Sequence, residues 1–171
     1  IFRSLGADVQ AFFTSPDGVN INRKCGSTEL DAIKSFKSLY PGQVALAFDG
    51  DCDRVLMIDE NGNTVDGDAM MAILAIGMKE RGELTNDCVV ATIMSNAGLE
   101  VALNDHGIKL LRTPVGDRYV AERMLSEGAK LGGEQSGHIL LPDLTPTGDG
   151  MVTAIRVLRE MLITGKSLAE L

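Results

Sequence analysis

The run VVATIMSNAGLEVALNDHGIKLL, residues 89–111, decides the fold. It opens with an apolar segment at 89–93, continues with a helical apolar pattern over 96–106 that Gly107 closes, and returns to an apolar segment at 109–111. Short apolar segments that alternate with helical periodicity are typical of an α/β protein. The run therefore predicts a strand, a helix and a second strand in succession.

The same alternation extends over most of the chain. Glycines at 82, 128 and 165 each follow a helical pattern, as glycine does where helices end. Asn61-Gly62 is the tip of a predicted hairpin that pairs 54–58 with 64–65. The predicted strands are 8–13, 44–48, 54–58, 89–93 and 109–111, and the predicted helices are 28–39, 69–81, 96–106, 117–127 and 149–164, the first two capped by Ser27 and Asp68.

The polar segment 61–67 separates a partial strand–helix succession from a complete one. We therefore predict one partial domain over residues 1–65 and one whole domain over residues 66–171. The chain opens with Ile1, inside an amphipathic pattern, so we expect a piece excised from a longer protein.

Composition narrows the class of partner. The 171 residues carry 16 lysines and arginines against 24 acidic residues, a net charge of −8, and contain no basic run, which argues against nucleic acid. The apolar run 69–78 is too short to span a bilayer, and the start of the chain does not resemble a signal peptide. Three scattered cysteines without a CxxC pair indicate a reducing compartment. We expect a cytoplasmic protein with a small-molecule partner and no membrane contact.

Most of the negative charge is concentrated in one segment. Residues 49–68 hold seven carboxylates and a single arginine. Within it, an apolar strand runs into Asp49, Asp51 and Asp53, with Gly50 allowing a tight turn. Three carboxylates at alternate positions can converge on one hard cation and leave about half of a Mg²⁺ shell open for water or a phosphate oxygen. Arg54 beside such an ion could hold a phosphate in two hydrogen bonds.

Three other interpretations of this segment remain open. Counted from Asp49, the acidic residues match an EF-hand calcium loop at four positions, but Arg54 stands where glycine is needed and strands flank the loop instead of helices. Asp49 and Asp51 could instead be an aspartyl nucleophile and its acid partner, as in haloacid-dehalogenase-type phosphatases. The segment could also be a solvated acidic loop, although carboxylates this close repel each other unless something neutralises them.

Two further segments carry polar groups suited to a phosphorylated ligand. Residues 132–138, GGEQSGH, place a carboxylate, an amide, a hydroxyl and an imidazole between glycines, a set that can bind sugar hydroxyls. Residues 112–119, RTPVGDRY, run from a strand through a glycine turn to a helix start, a geometry that binds anions. Taken alone, residues 132–138 favour a glycine-rich turn over a binding site, whereas residues 112–119 fit a helix cap by Asp117 with surface arginines equally well.

Seven motifs in a fixed order resemble the α-D-phosphohexomutase family. They lie at 16–22, 49–54, 65–68, 94–96, 115–120, 133–138 and 147–150, and so cover nearly the whole chain. The resemblance implies an α/β fold of two consecutive three-layer α/β/α domains with mixed sheets, the first one truncated. By this resemblance, residues 1–65 correspond to the C-terminal part of the family's second domain and carry the metal loop. Residues 66–171 correspond to the third domain and carry the sugar-binding loop.

The resemblance also implies roles for individual residues. Members of the family interconvert hexose 6- and 1-phosphates through a bisphosphate intermediate, and Gln135 is more typical of the glucosamine branch than of the mannose/glucose branch. The implied cofactors are Mg²⁺ and hexosamine 1,6-bisphosphate. The implied site consists of Asp49, Asp51 and Asp53 as metal ligands, Arg54 and His138 as catalytic residues, and Gly116, Asp117, Arg118, Glu134 and Ser136 as substrate-binding residues.

Two departures from the family shape the expectations. Cys52 stands where the family usually has Gly or Ala. The family's catalytic serine and its phosphate-binding loop belong to a first and a fourth domain, which we expect as missing partners, so the isolated chain should lack mutase activity. Without the opening strand of domain two, residues before about 66 should be less ordered or pair with another molecule.

Three alternative functions remain open: a phosphomannomutase or phosphoglucomutase of the same family, an aspartyl phosphatase, and a metal-binding module without catalysis. The oligomeric state also stays open, and a homo-oligomer is one possibility.

Overall fold

A computed structural model describes residues 1–171. It contains five helices, seven strands and three short 3₁₀ turns at Arg3–Leu5, Thr85–Asp87 and Leu168–Glu170. The helices are α1 (Asp31–Lys37), α2 (Gly67–Glu80), α3 (Ala97–Asp105), α4 (Asp117–Glu127) and α5 (Gly150–Thr164). The strands are β1 (Ala45–Phe48), β2 (Val55–Ile58), β3 (Thr64–Val65), β4 (Cys88–Thr92), β5 (Lys109–Thr113), β6 (Gly132–Gly133) and β7 (Ile139–Leu140).

The second sheet is mixed and has the order β5-β4-β6-β7. Strand β4 is parallel to both β5 and β6, while β7 returns antiparallel to β6. All five residues of β4 are buried, because successive side chains face opposite layers and both layers are covered. Val89 and Ala91 join the main hydrophobic cluster with α2 and α3, whereas Cys88 and Val90 pack with α4. Residues 66–171 thus form the predicted α/β/α arrangement.

The first sheet is a three-stranded antiparallel meander, β1-β2-β3. The predicted hairpin is confirmed, with Met57 paired to Val65 and Ile58 to Thr64. Val55 and Met57 of β2 lie in the same hydrophobic cluster as α2 and α5. The α/β class is confirmed. The first sheet, however, was expected to be mixed, and it is antiparallel throughout, since both of its strand pairs are antiparallel.

Two predictions in the first 44 residues are wrong. Residues 8–13 form no strand. Phe13 has a positive φ of 56° and Phe12 stacks on Phe36 of α1, so the aromatic side chains pack against a helix instead of alternating across a sheet. The first helix begins after Leu30, not after Ser27, whose side chain accepts no capping hydrogen bond.

The N-cap of α2 also differs from the prediction. Asp66, with extended backbone, accepts a hydrogen bond from the Ala69 backbone N–H, while Asp68 already lies inside the first turn. Gly67 permits this earlier start, because a β-carbon there would lie 2.0 Å from the Glu134 carbonyl oxygen. The earlier start buries Asp68, whose Oδ2 accepts a hydrogen bond from the Asn96 backbone N–H.

A buried ion pair ties α2 to α5. Both carboxylate oxygens of Glu160, which is 1% exposed, accept hydrogen bonds from the Arg81 guanidinium, at 2.7 and 2.8 Å. Arg81 also donates to Glu83. These hydrogen bonds raise the pKa of Arg81 above its usual value, so the pair stays charged. The pair fixes α5, whose first residue, Gly150, donates a hydrogen bond to the Cys52 carbonyl.

Candidate active site

The acidic segment 49–54 is the hairpin connection between β1 and β2. Because Phe48 pairs with Val55, the six residues between them form a short loop whose two ends are held by the sheet. In this loop, one carboxylate oxygen each of Asp49, Asp51 and Asp53 lies within 4.8 Å of the other two. The structure therefore brings the three predicted metal ligands together.

The donor set fits a divalent cation. Oδ1 of Asp53 is buried and accepts no hydrogen bond, so its charge has no neutralising donor within hydrogen-bond distance. Carboxylate oxygens are the ligands that Mg²⁺ prefers, and on one ion they lie about 3 to 4 Å apart. A small contraction of the loop would bring the three oxygens to that spacing. Strands on both sides of the loop argue against an EF-hand.

Arg54 borders the same carboxylates. Its Nε lies 3.9 Å from Asp49 Oδ2 and 3.7 Å from Asp53 Oδ1, and its backbone N–H donates to Asp49 Oδ1. Nε of the guanidinium therefore faces the two carboxylates, while its two outer nitrogens form no hydrogen bond with them. The side chain is 41% exposed. The guanidinium can therefore bind a further anion.

Cys52 adopts a left-handed backbone conformation, with φ of 61°. Partial burial, and then the charges of Asp49 and Asp51, raise the pKa of its thiol. The thiol is thus protonated at neutral pH when no cation offsets these charges, which makes it a poor nucleophile. Glycine adopts this conformation without strain.

The loop 134–138 contacts the backbone of Val55, the residue that directly follows segment 49–54. The Val55 N–H donates to the Gly137 carbonyl at 3.2 Å, and a β-carbon at Gly137 would lie 2.1 Å from the Val55 oxygen. The start of α5 closes the other side, where the Gly150 N–H donates to the Cys52 carbonyl at 2.9 Å. Only glycine permits these approaches, so the glycines join the two loops into one site.

The side chain of His138, in loop 134–138, contacts Asp53 of the acidic segment. Its Nδ1 lies 3.1 Å from Asp53 Oδ2, and the residue is 3% exposed. Its Nε2 is buried and has no hydrogen-bond partner. Gly148 packs against the ring, since a β-carbon there would lie 2.5 to 2.8 Å from three ring atoms.

The remaining predicted residues lie beyond the ends of β5 and β6. Since β4, β5 and β6 are parallel, their carboxyl ends meet at one edge of the sheet, where α/β proteins bind ligands. Glu134 Oε1 accepts a hydrogen bond from the Gly116 N–H at 3.1 Å, which brings these two predicted residues together. Ser136 is exposed nearby in sequence.

Asp117 and Arg118 begin α4 and point to solvent. Arg118 is 80% exposed and donates to Glu122 at 2.8 Å, which raises its pKa. Asp117 accepts a hydrogen bond from the Arg118 backbone N–H. The structure does not connect either side chain to the acidic loop.

The close packing of Gly148 and Gly150 was not predicted from the sequence. Both lie in 147–150, TGDG, which predicts no more than a loop that enters a helix. The structure uses the two glycines for close packing against His138 and Arg54. Two glycines that flank the N-cap of a helix, after a polar loop, were the signal available in the sequence.

The geometry defines an α/β protein in which three converging carboxylates lie close to loop 134–138 and to the start of α5, and comparison with known proteins supplies its class. The profile of the family described as phosphoglucomutase/phosphomannomutase, alpha/beta/alpha domain III, matches residues 66–171. The chain therefore belongs to this family of phosphohexomutases.

Individual relatives make the assignment more specific. The chain is 51% identical over 170 residues to phosphoglucosamine mutase of Saccharopolyspora erythraea and 51% identical over 171 residues to that of Caldanaerobacter subterraneus. These alignments cover 99% and 100% of the chain, which spans 38% of the length of each relative.

A solved structure supports the fold. A phosphoglucomutase/phosphomannomutase family protein from Burkholderia thailandensis matches with a TM-score of 0.81 at 24% identity. The match covers 91% of this chain and 34% of that one. Separately, none of the helices combines the length and the apolar character that crossing a bilayer requires.

Proposed function

We propose that this chain provides the metal-binding and sugar-binding parts of a phosphoglucosamine mutase. The enzyme would interconvert glucosamine 6-phosphate and glucosamine 1-phosphate through hexosamine 1,6-bisphosphate. The observation that carries the proposal is the joining of the acidic loop to loop 134–138, through Val55–Gly137 and Asp53–His138, into one site. The names of the relatives at 51% identity support the choice of substrate.

Asp49, Asp51 and Asp53 would hold Mg²⁺ through one oxygen each. Oδ1 of Asp53 supports this assignment, because it is buried without a hydrogen bond, with the Arg54 Nε no closer than 3.7 Å, and a cation would satisfy it. When bound, Mg²⁺ would supply neutralisation of the charge on a transferring phosphoryl group. The Asp53 carboxylate would be held by His138 and the loop by β1 and β2, so little reorganisation would be needed during the reaction.

Arg54 would bind the oxygens of the transferring phosphoryl group. Its Nε faces Asp49 and Asp53, while the outer nitrogens stay available for an anion. A guanidinium fits phosphate in two parallel hydrogen bonds, which fixes the orientation of the group as well as its charge.

Glu134 and Ser136 would hold hydroxyl groups of the sugar. Oε1 of Glu134 is occupied by the Gly116 N–H, so the carboxylate is already oriented and its second oxygen can accept from a hydroxyl. Gly116 would thereby act through Glu134, with Asp117 and Arg118 bordering the same sugar-binding site. A site of oriented hydrogen-bonding groups rejects sugars that lack the matching hydroxyl.

The phosphoserine that carries the phosphoryl group and the clamp for the distal phosphate would lie outside these 171 residues. The share of the relatives that the chain spans, 38%, supports this placement. Residues 1–65 would belong to the second domain and residues 66–171 to the third. Three free cysteines support a reducing, cytoplasmic setting.

A phosphomannomutase or phosphoglucomutase is the second candidate, favoured by the description of the matching family. A chimera separates the two: the chain replaces its aligned segment in the Saccharopolyspora erythraea enzyme. We expect Mg²⁺-dependent turnover of glucosamine 6-phosphate that Asp51→Asn abolishes. Faster turnover of mannose or glucose phosphates would favour the second candidate.

The chain itself provides a second test if the chimera does not fold. We expect calorimetry with Mg²⁺ present to detect binding of glucosamine 1-phosphate, weakened in Glu134→Gln. Binding of Mg²⁺ without any sugar phosphate would favour the metal-binding module over the mutase.

A further inference from the structure

The start of α2 lies against the loop that carries the proposed sugar-binding residues. Both hydrogen bonds that Gln135 makes go to this start: its carbonyl oxygen accepts from the Gly67 N–H at 2.9 Å, and its side-chain amide donates to Asp66 Oδ2 at 3.3 Å. A β-carbon at Gly67 would lie 2.0 Å from the Glu134 carbonyl oxygen, so the two backbones are in contact. Gln135 is thus tied to a helix through its main chain and its side chain.

The two carboxylate oxygens of Asp66 have different partners. Oδ1 accepts a hydrogen bond from the Ala69 N–H and so caps α2, while Oδ2 accepts one from the Gln135 amide. A cap needs one oxygen, and serine, threonine or asparagine supplies it about as well as aspartate. The second oxygen is therefore not needed for the cap, and its partner belongs to loop 134–138.

We propose that Asp66 is a positioning residue, which holds loop 134–138 through Gln135 so that Glu134 and Ser136 present their side chains to the sugar. The inference rests on the proposed function and adds a residue to its sugar-binding part. In this role Asp66 acts on the residue between the two sugar-binding side chains and not on the sugar.

The loop is held at two points besides the side chain of Glu134. The Gly137 N–H donates to the Glu134 carbonyl at 3.0 Å, which closes the turn but does not fix where its tip lies. The Val55 N–H holds the end of the turn through the Gly137 carbonyl, and Gln135 ties its tip to α2. Ser136 makes no hydrogen bond of its own, so its position follows from that of its neighbours.

The start of α2 is a rigid anchor for the loop. Asp68, in the first turn, is 2% exposed, and its Oδ2 accepts a hydrogen bond at 2.8 Å from the backbone N–H of Asn96, the N-cap of α3. Nine of the 14 residues of α2 are buried. A hydrogen bond to Asp66 therefore places the loop relative to the core.

A matched pair of cap variants in the chimera, Asp66→Ser and Asn96→Ser, tests the proposal. Each keeps an oxygen for the N–H of the third helical residue, which is Ala69 in α2 and Leu99 in α3. Only Asp66→Ser also removes the acceptor of the Gln135 amide. We expect Asp66→Ser to raise KM for glucosamine 6-phosphate about 2- to 10-fold, the factor that one hydrogen bond supplies, with little change in kcat. Asn96→Ser should leave KM unchanged.

The split between KM and kcat separates positioning from loss of fold. A residue that orients binding groups changes KM, whereas a smaller folded fraction lowers the apparent kcat and leaves KM as it was. Asp66→Asn should retain the wild-type KM, because asparagine caps equally well and its amide can bond to that of Gln135 once one of the two amides turns over. Gln135→Ala should raise KM as Asp66→Ser does, and the double variant should add nothing further.

Hydrogen exchange in the 171-residue chain tests the tie without turnover. The Gly67 N–H bonds to Gln135, and the Gly137 N–H closes the turn. We expect NMR to show both amides exchanging about 2- to 10-fold faster in Asp66→Ser than in wild type or in Asn96→Ser.

The outcomes separate the two proposals. An unchanged KM in Asp66→Ser, or the same change in both serine variants, would overturn the positioning role and leave the proposed function standing. If the folded, unsubstituted chimera turns over no glucosamine 6-phosphate, the proposed function is overturned. The exchange rates then decide whether Asp66 holds the loop, and equal rates in wild type and Asp66→Ser would overturn that as well.

Discussion

Residues 1–44 and residues 66–171 differ in the share of their residues that form helices and strands. The first region contains one seven-residue helix and one 3₁₀ turn, and it exposes large apolar side chains such as Phe13, Val19 and Ile21. The second region buries a four-stranded mixed sheet between helices. Both regions contain segments with the apolar character of strands, so the difference lies in the neighbours available to them.

Residues 8–13 and β4 illustrate the difference. Strand β4 has β5 on one side and β6 on the other, which satisfy its backbone groups. The predicted strand 8–13 has no such neighbour, and its aromatic residues pack on α1, with Phe12 and Phe36 centroids 4.3 Å apart. An apolar pattern therefore becomes a strand only where another strand supplies hydrogen bonds.

The largest expected effect comes from a matched pair of leucines, one in each region. Leu74→Ala empties a fully buried position in α2 and should lower the free energy of unfolding by about 2 to 5 kcal/mol. Leu39, 70% exposed, is the control, and Leu39→Ala should leave stability nearly unchanged. Urea unfolding measures both. Similar losses in both variants would contradict the contrast between the regions.

The next prediction tests whether segment 45–65 packs tightly against the second region. Gly137→Ala places a methyl group against the Val55 carbonyl and should cost about 1 to 3 kcal/mol more than its control. The control is Gly62→Ala, which has nearly the same φ, 92° against 91°, but open space around the new methyl. Equal losses would show that only backbone strain matters and that the two loops are not tightly packed.

The stability that Asp59 gives the β2–β3 hairpin should depend on pH. Burial opposes the charged form of Asp59, but hydrogen bonds from Asn63 and from the Asn61 N–H outweigh it and hold its pKa below the usual value. A carboxyl with a lowered folded pKa stabilises the fold above its unfolded pKa of about 4, and the stabilisation is lost as pH falls through the folded pKa.

The corresponding variant is Asp59→Asn. It should be less stable than wild type at pH 7, and the gap should shrink in urea titrations below about pH 4. A gap that does not change with pH would show that the carboxylate charge is not what stabilises the turn.

The smallest effect concerns Cys52. Its left-handed backbone costs a non-glycine residue about 1 kcal/mol, so Cys52→Gly should raise the unfolding midpoint slightly, with part of the gain offset by the freedom of glycine in the unfolded chain. Cys52→Ala removes the thiol and keeps the strain. If both variants gained stability equally, the thiol and not the backbone would be the cause.

The sequence predicted the second region well because its signals are local. Helix α4 has its predicted bounds, and Gly128 caps it in the left-handed conformation. The order Asp49, Asp51, Asp53 predicted the convergence of the carboxylates, because a short loop between paired strands leaves little freedom.

Other features depend on contacts distant in the sequence and could not be predicted in this way. The N-cap at Asp66 depends on the close approach of Gly67 to loop 134–138, 67 residues further on. The contact of His138 with Asp53 depends likewise on Gly137 and Gly148, whose spacing from the acidic loop has no local pattern.

If the acidic loop and loop 134–138 form one cation-dependent site, both should respond to the same bound ion. A titration of the ¹⁵N-labelled chain with Mg²⁺, followed by amide chemical shifts, measures this. We expect amides of 49–54 and of 134–138 to shift together and to saturate at the same Mg²⁺ concentration. Shifts confined to 49–54, or no saturable shift in either loop, would contradict it.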